Sequence, residues 1–124
     1  MLRIAGWWWI VISILHTLGG IILYFPQWQE IARAGWFNAI APEPFAPIFP
    51  RETAFWFVLL SPFIYLVGKL CLWAHYQNLI LPKSMGVILL ITMSVAVFFV
   101  PVSGFWLGLA PSIMMFYSSK AFST

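Results

Sequence analysis

The sequence predicts an all-α membrane protein, with four transmembrane helices in an antiparallel bundle and a short interfacial helix in the first outer loop. Three observations carry that prediction. Of the 124 residues 63% are apolar, 19% aromatic and 7% charged, whereas a soluble domain averages about a quarter charged residues and under half apolar ones. Mean hydropathy is +0.96. The apolar residues fall in four runs, 4–25, 53–76, 84–100 and 104–122, close to the length of about 20 residues that a spanning helix needs. Such a composition excludes a water-soluble globular enzyme, a disordered tail and a coiled coil of charged heptads. A single cysteine excludes a disulfide scaffold. The spans use most of the chain, so residues 1–124 read as one membrane domain with an outer loop at 26–52.

The first run carries no charge and stops at Pro26, which cannot donate the hydrogen bond that a continuing helix requires. It reads as a retained helix and not a cleaved leader. The run is longer than a leader core of about 7–15 residues, and Trp28 and Glu30 separate it from the Ala32-Arg33-Ala34 site. The second run opens near Thr53, passes through Ala54-Phe55-Trp56-Phe57 and reaches Tyr76, interrupted by Pro62 and Lys69. The last two runs form a hairpin, because Pro101-Val102-Ser103-Gly104 is too short to join anything but antiparallel neighbours.

In the outer loop, Trp28, Ile31, Ala32, Gly35, Trp36 and Ala39 recur at helical spacing, with Gln29, Glu30, Arg33 and Asn38 on other faces. That pattern suits a short helix lying in the interface. Pro42, Pro44, Pro47 and Pro50 follow and predict an extended polyproline-like strap, a stiff connector. Glu52 then falls in the first turn of the second span, where a negative charge suits the helix dipole.

The lysine and arginine bias sets the orientation. Arg3, Lys69, Lys83 and Lys120 share one side against Arg33 and Arg51 on the other, which predicts a multi-pass protein of the inner (cytoplasmic) membrane with both termini cytoplasmic. Trp7, Trp8, Trp9, Trp73, Tyr76 and Tyr117 gather at inner ends, and Trp28, Trp36, Trp56 and Trp106 at outer ones, as interfacial aromatic belts do. The net charge of +3 is a topology signal; without a clustered basic face it does not point to nucleic acid.

His16 is the ionisable group nearest the middle of a span. It lies twelve residues after Ile4, about 18 Å along a helix, and an intramembrane histidine is a candidate functional site. A neutral imidazole that bonds another helix purely for packing is the competing reading. Gly6, Trp9, Ser13, His16 and Gly20 make one small and polar stripe, which should face protein. Depth counting places Ser61, Tyr65 and Ser94 at the level of His16, so Ser13, His16, Ser61, Tyr65 and Ser94 form an expected midplane polar layer. Pro62 frees a carbonyl near Val58 and predicts a kink. Gly104, Gly108 and Ser112 make a small-residue ladder beside Pro111, which suits close helix approach within the bundle.

Lys69 reads as a snorkelling side chain. Cys71 and His75 stand four residues apart, yet with no third or fourth ligand nearby they predict no metal site. No carboxylate lies inside a span, which argues against a proton-coupled exporter. No catalytic triad, carboxylate pair or phosphate loop is present either.

The central His with Gly19-Gly20, the Ala54-Phe55-Trp56-Phe57 opening and Pro101-Val102-Ser103-Gly104-Phe105-Trp106-Leu107 resemble a family of small bacterial four-helix membrane proteins known only as a domain of unknown function. The resemblance covers nearly the whole chain in order and length. It departs from the family at Ser61-Pro62, where a glycine would be expected after Phe-Trp-Phe. It implies a fold and supplies no mechanism.

Three classes of function follow. The first is an accessory or binding protein that contacts the lipid bilayer, a hydrophobic ligand or a larger membrane complex, alone or as a homo-oligomer. The second is a subunit of an energy-converting or photosynthetic complex, with His16 as ligand to a haem or chlorin. The third is a small transporter or channel. The sequence leans away from an enzyme.

Overall fold

A computed structural model describes residues 1–119 of the chain. It is all-α, with helices α1 (Leu2–Leu23), α2 (Phe25–Arg33), α3 (Phe49–Tyr76), α4 (Lys83–Phe99) and α5 (Trp106–Ser118). Among the described residues the one pairing of β type is an isolated bridge, Glu43 with Ala46. Two helices, α1 and α3, are long and apolar enough to cross a membrane, where the apolar runs predict four. The 17 residues of α4 rise about 26 Å and the 13 of α5 about 20 Å, against a hydrocarbon core of about 30 Å. α5 is shorter than its run at 104–122, while α4 matches the length of its run at 84–100; Val100 to Phe105 form the connecting turn. Lys120 and the end of the fourth run at Phe122 lie outside the described residues.

The chain divides into two compact units, one of Met1–Ile12 with the chain from Ile64 onward, the other of Ser13–Phe63. In the first, Ala5, Trp9, Cys71, Ala74, Leu81 and Met115 form the buried core. The start of α1 runs antiparallel to the end of α3 at very short range. A Cβ built on Gly68 would stand 2.7 Å from the Gly6 carbonyl oxygen, and one on Gly6 would stand 2.9 Å from the Gly68 oxygen. Small residues permit such close backbone contact. The α4–α5 pair repeats the device, since a Cβ on Gly86 would meet the Phe116 nitrogen at 2.6 Å. Two tryptophans tie α1 to α5. Trp8 donates from Nε1 to the Leu107 carbonyl at 3.0 Å, and buried Trp9 donates to the Met115 sulfur at 3.3 Å. The Lys83 ammonium lies 4.4 Å from the centre of the Phe116 ring, a cation–π contact.

Helix ends follow their local sequence. Past α2, Gly35 takes φ 84°, with Gly35 N–H donating to Ala32 and Trp36 N–H to Ile31. Past α3, Asn78 takes φ 53°, with Asn78 N–H donating to His75 and Leu79 N–H to Ala74. Both are Schellman endings, built on the residue types that tolerate the left-handed region.

The second unit differs from the sequence reading at its prolines. Pro26 does follow the end of α1, but it also sits in the first turn of α2, where its missing N–H would have had no partner. The stretch from Pro42 to Pro50 is no extended strap. Pro44 and Phe45 occupy a tight turn in which Ala46 N–H donates to the Glu43 carbonyl at 3.2 Å, and Ile48 N–H returns to the Ile40 carbonyl at 2.8 Å. Pro50 belongs to the first turn of α3. The four prolines are too far apart to fix the residues between them, and Phe45 at φ 59° reverses the chain. Arg51 holds the base of this loop, donating from Nη1 to the Ala39 carbonyl at 2.9 Å and lying 3.6 Å from the Glu30 carboxylate.

Candidate functional site

The site is built around His16 in the second unit. Along α1, Ser13 and Gly20 are buried and His16 is half-buried, so the polar stripe turns inward here. Gly20 permits the approach of α3, because a Cβ there would fall 2.6 Å from the Val58 side chain and 2.8 Å from the Phe57 ring. His16 Nε2 lies 2.8 Å from the Phe57 carbonyl oxygen. A carbonyl only accepts, so Nε2 carries the hydrogen and donates it. The imidazole also stacks on the Phe57 ring, with centroids 4.0 Å apart and planes 11° from parallel. Tyr24 approaches the same ring at 5.3 Å, and Trp28 donates from Nε1 to the Gly20 carbonyl at 3.2 Å, tying α2 back to α1.

Ser61 completes the arrangement by what it lacks. It is 5% exposed and its hydroxyl has no hydrogen-bond partner. Thr17, Thr53, Ser94, Ser112 and Ser118 each return the hydroxyl to the carbonyl four residues earlier. For Ser61 that carbonyl belongs to Phe57, and His16 holds it. A carbonyl oxygen has two lone pairs, which the helical N–H and the imidazole fill. One residue on, Pro62 lies inside α3 and has no N–H to offer the Val58 carbonyl. Two groups with hydrogen-bonding capacity to spare, the Ser61 hydroxyl and the Val58 carbonyl, therefore stand one turn apart on α3.

The expected midplane layer is divided between the two units. Ser13, His16 and Ser61 belong to the second, Tyr65 and Ser94 to the first. Ser94 is exposed and donates to the Leu90 carbonyl of its own helix at 2.7 Å, and Tyr65 is exposed on α3. Of the ladder on α5, Gly108 and Ser112 are buried, while a Cβ on Gly104 would meet nothing within 4 Å. Sequence reasoning missed Phe57 as the partner of His16, since a backbone acceptor leaves no side-chain signature. The available signal was the proline five residues later, which marks a stretch of helix with disturbed bonding.

A family described as "Family of unknown function (DUF6463)" matches residues 1–121. The chain belongs to this family. The match takes in all five helices, so the DUF6463 region includes both the His16–Phe57 contact and the α4–α5 pair. No curated protein and no solved structure matches the chain.

Chemically, the arrangement offers this DUF6463 protein one imidazole N–H bonded to one carbonyl. Among the described residues no three of His, Cys, Asp and Glu come together. Cys71 is buried in the first unit, and the His75 ring contacts that of its neighbour Tyr76. Glu30, Glu43 and Glu52 all lie between α1 and the first turn of α3. The geometry is that of a helix-to-helix fastening.

Proposed function

We propose that the protein is a small integral membrane protein that works as an accessory or binding component, acting through its apolar surface on lipid and on another membrane constituent. The observation that carries this reading is the exposure of its apolar helices. In their most apolar stretches α1 is 28% buried and α3 is 22% buried, whereas the core helix of a soluble protein hides most of its surface. Leu18, Ile22, Leu60 and Leu66 all lie exposed, which in water would be a severe aggregation liability.

The α4–α5 hairpin crosses the same bilayer in this proposal, giving four spans with both termini on the cytoplasmic side of an inner membrane. The positive residues Arg3, Lys69 and Lys83, with Lys120, support that orientation. His16 acts in packing. The use of Nε2 on the Phe57 carbonyl favours this over service as a haem or chlorin ligand, and the hydroxyls returned to their own helices favour it over transport.

Mass spectrometry of the intact particle extracted in lipid nanodiscs tests the proposal. The expected result is a defined oligomer, or a particle carrying a retained subunit or hydrophobic molecule. A monodisperse monomer that retains nothing contradicts it.

A further inference from the structure

The segment between α2 and α3 holds aromatic rings away from the protein. Phe45 is fully exposed and Phe37 is 92% exposed. Phe45 occupies the third position of the Glu43–Ala46 turn at φ 59°, where glycine is the favoured residue and a bulky side chain is strained. Pro44 precedes it, at the position whose φ proline presets. The turn thus bears backbone strain to present a ring that touches nothing in its own chain, and strain of this kind gathers at functional surfaces.

The reach of the turn is limited. Ile48 N–H bonded to the Ile40 carbonyl, and Arg51 bonded to the Ala39 carbonyl, close the excursion on the head of α3. The residues between Ile40 and Ile48 run out and back, so the tip stands within about 12 Å of that base. If α1 and α3 span, the base lies at the bilayer surface, where the headgroup layer is about 5–8 Å thick on each side.

We infer that this segment is a membrane-surface anchor, in which Phe45 and Phe37 insert at the headgroup-to-acyl boundary of the bilayer that holds α1 and α3. Phenylalanine, with Trp and Leu, is a residue type that interfacial segments bury at the headgroup-to-acyl boundary. Arg51 at the base lies 3.6 Å from Glu30, and Glu43, exposed at the first position of the turn, stays among the headgroups while Phe45 reaches the boundary. The inference rests on the proposal that α1 and α3 span.

The test places a fluorescent thiol label at Phe45→Cys, Phe37→Cys or Ile14→Cys, one at a time, in a Cys71→Ala background. Ile14 is exposed on α1 and reports on the spanning proposal alone. The full chain is reconstituted in vesicles of phosphatidylcholine and phosphatidylglycerol. Quenching is then compared between lipids with nitroxide high on the acyl chain, lipids with nitroxide near its end, and iodide in the water. The anchor predicts about two-fold or greater quenching of the 45 and 37 labels by the shallow nitroxide, with protection from iodide. The label at 14 should respond to the deep nitroxide. If iodide quenches the labels at 45 and 37 while lipid quenches that at 14, the anchor is overturned and the spanning proposal stands. If iodide quenches the label at 14, the spanning proposal fails and the anchor with it. Shielding of the 45 and 37 labels from both quenchers also overturns the anchor, because protein and not lipid then covers the segment. Both phenylalanines are exposed, so their replacement removes little packing and the labelled chains should fold.

Discussion

His16 donates to the carbonyl oxygen of Phe57 at 2.8 Å while its ring lies flat against the ring of the same residue. One residue of α3 therefore meets both the polar edge and the apolar face of the imidazole. Interhelical hydrogen bonds in membranes are worth about 0.6 kcal/mol, up to about 1.7, and the stacked ring adds packing that alanine cannot replace. His16→Ala should destabilise the protein by about 2 kcal/mol, read from reversible unfolding in mixed detergent micelles. His16→Gln keeps a donor and should lose less.

Ser61 and His16 compete for the same carbonyl, and a double-mutant cycle exposes the competition. With His16 present, Ser61→Ala removes a buried hydroxyl that has no partner and should stabilise by about 1 kcal/mol. In the His16→Ala background the hydroxyl is free to take the Phe57 carbonyl, so Ser61→Ala should become neutral or destabilising. A coupling near 1 kcal/mol is expected; effects that add within about 0.3 kcal/mol would mean that the two groups do not share an acceptor.

The glycines should rank by what opposes them. At Gly68 and Gly86 the atoms in the way include backbone of the facing helix, whereas at Gly108 they are the side chains of Met93 and Trp9. Methionine adapts and backbone does not. Gly68→Ala and Gly86→Ala should each cost about 2–3 kcal/mol and Gly108→Ala about 1 kcal/mol or less. Thermal denaturation in detergent supplies the order, and Gly104→Ala, which meets nothing, is the control.

The positions of the helices were legible from the sequence, and their faces were not. Apolar runs mark α1, α3 and α4 to within a few residues because these helices are apolar on nearly all sides. For the same reason the runs carry little periodicity, and depth counting could not say which way Ser94 or Tyr65 points. The stripe from Gly6 to Gly20 could be read, since small residues interrupt an otherwise bulky helix. The Phe57 carbonyl could not, because every residue has one. The proline strap was misread as extended for a specific reason: Phe45 adopts a left-handed conformation that its own propensity opposes.

Arg51 fixes the segment between α2 and α3 through one carbonyl. Its bond to Ala39 is well formed, while the Glu30 ion pair is long and half-exposed on the acidic side, a pairing worth little. Arg51→Ala should speed proteolytic cleavage between Ile40 and Ile48 several-fold and shift global stability by under about 1 kcal/mol. Glu30→Gln should leave the cleavage rate nearly unchanged.

The proposed topology rests on the charge bias. A reporter active only outside the cytoplasm should be active when fused after Ile40, inactive after Asn78 and active again after Val102. Activity at 40 combined with inactivity at both 78 and 102 would leave α1 and α3 as spans and remove the α4–α5 hairpin from the bilayer. Neutralising Lys69 and Lys83 together should raise the fraction of inverted chains.

The central claim is that the exposed apolar faces of α1 and α3 lie in lipid. A spin label at Leu18→Cys on α1 or Leu66→Cys on α3, both exposed positions, measures this directly in vesicles. The collision rate with oxygen, which concentrates in the bilayer, is compared with that of a water-soluble nickel chelate. High oxygen and low nickel accessibility at both sites is the predicted result. Ready access of the nickel chelate to either site would contradict it.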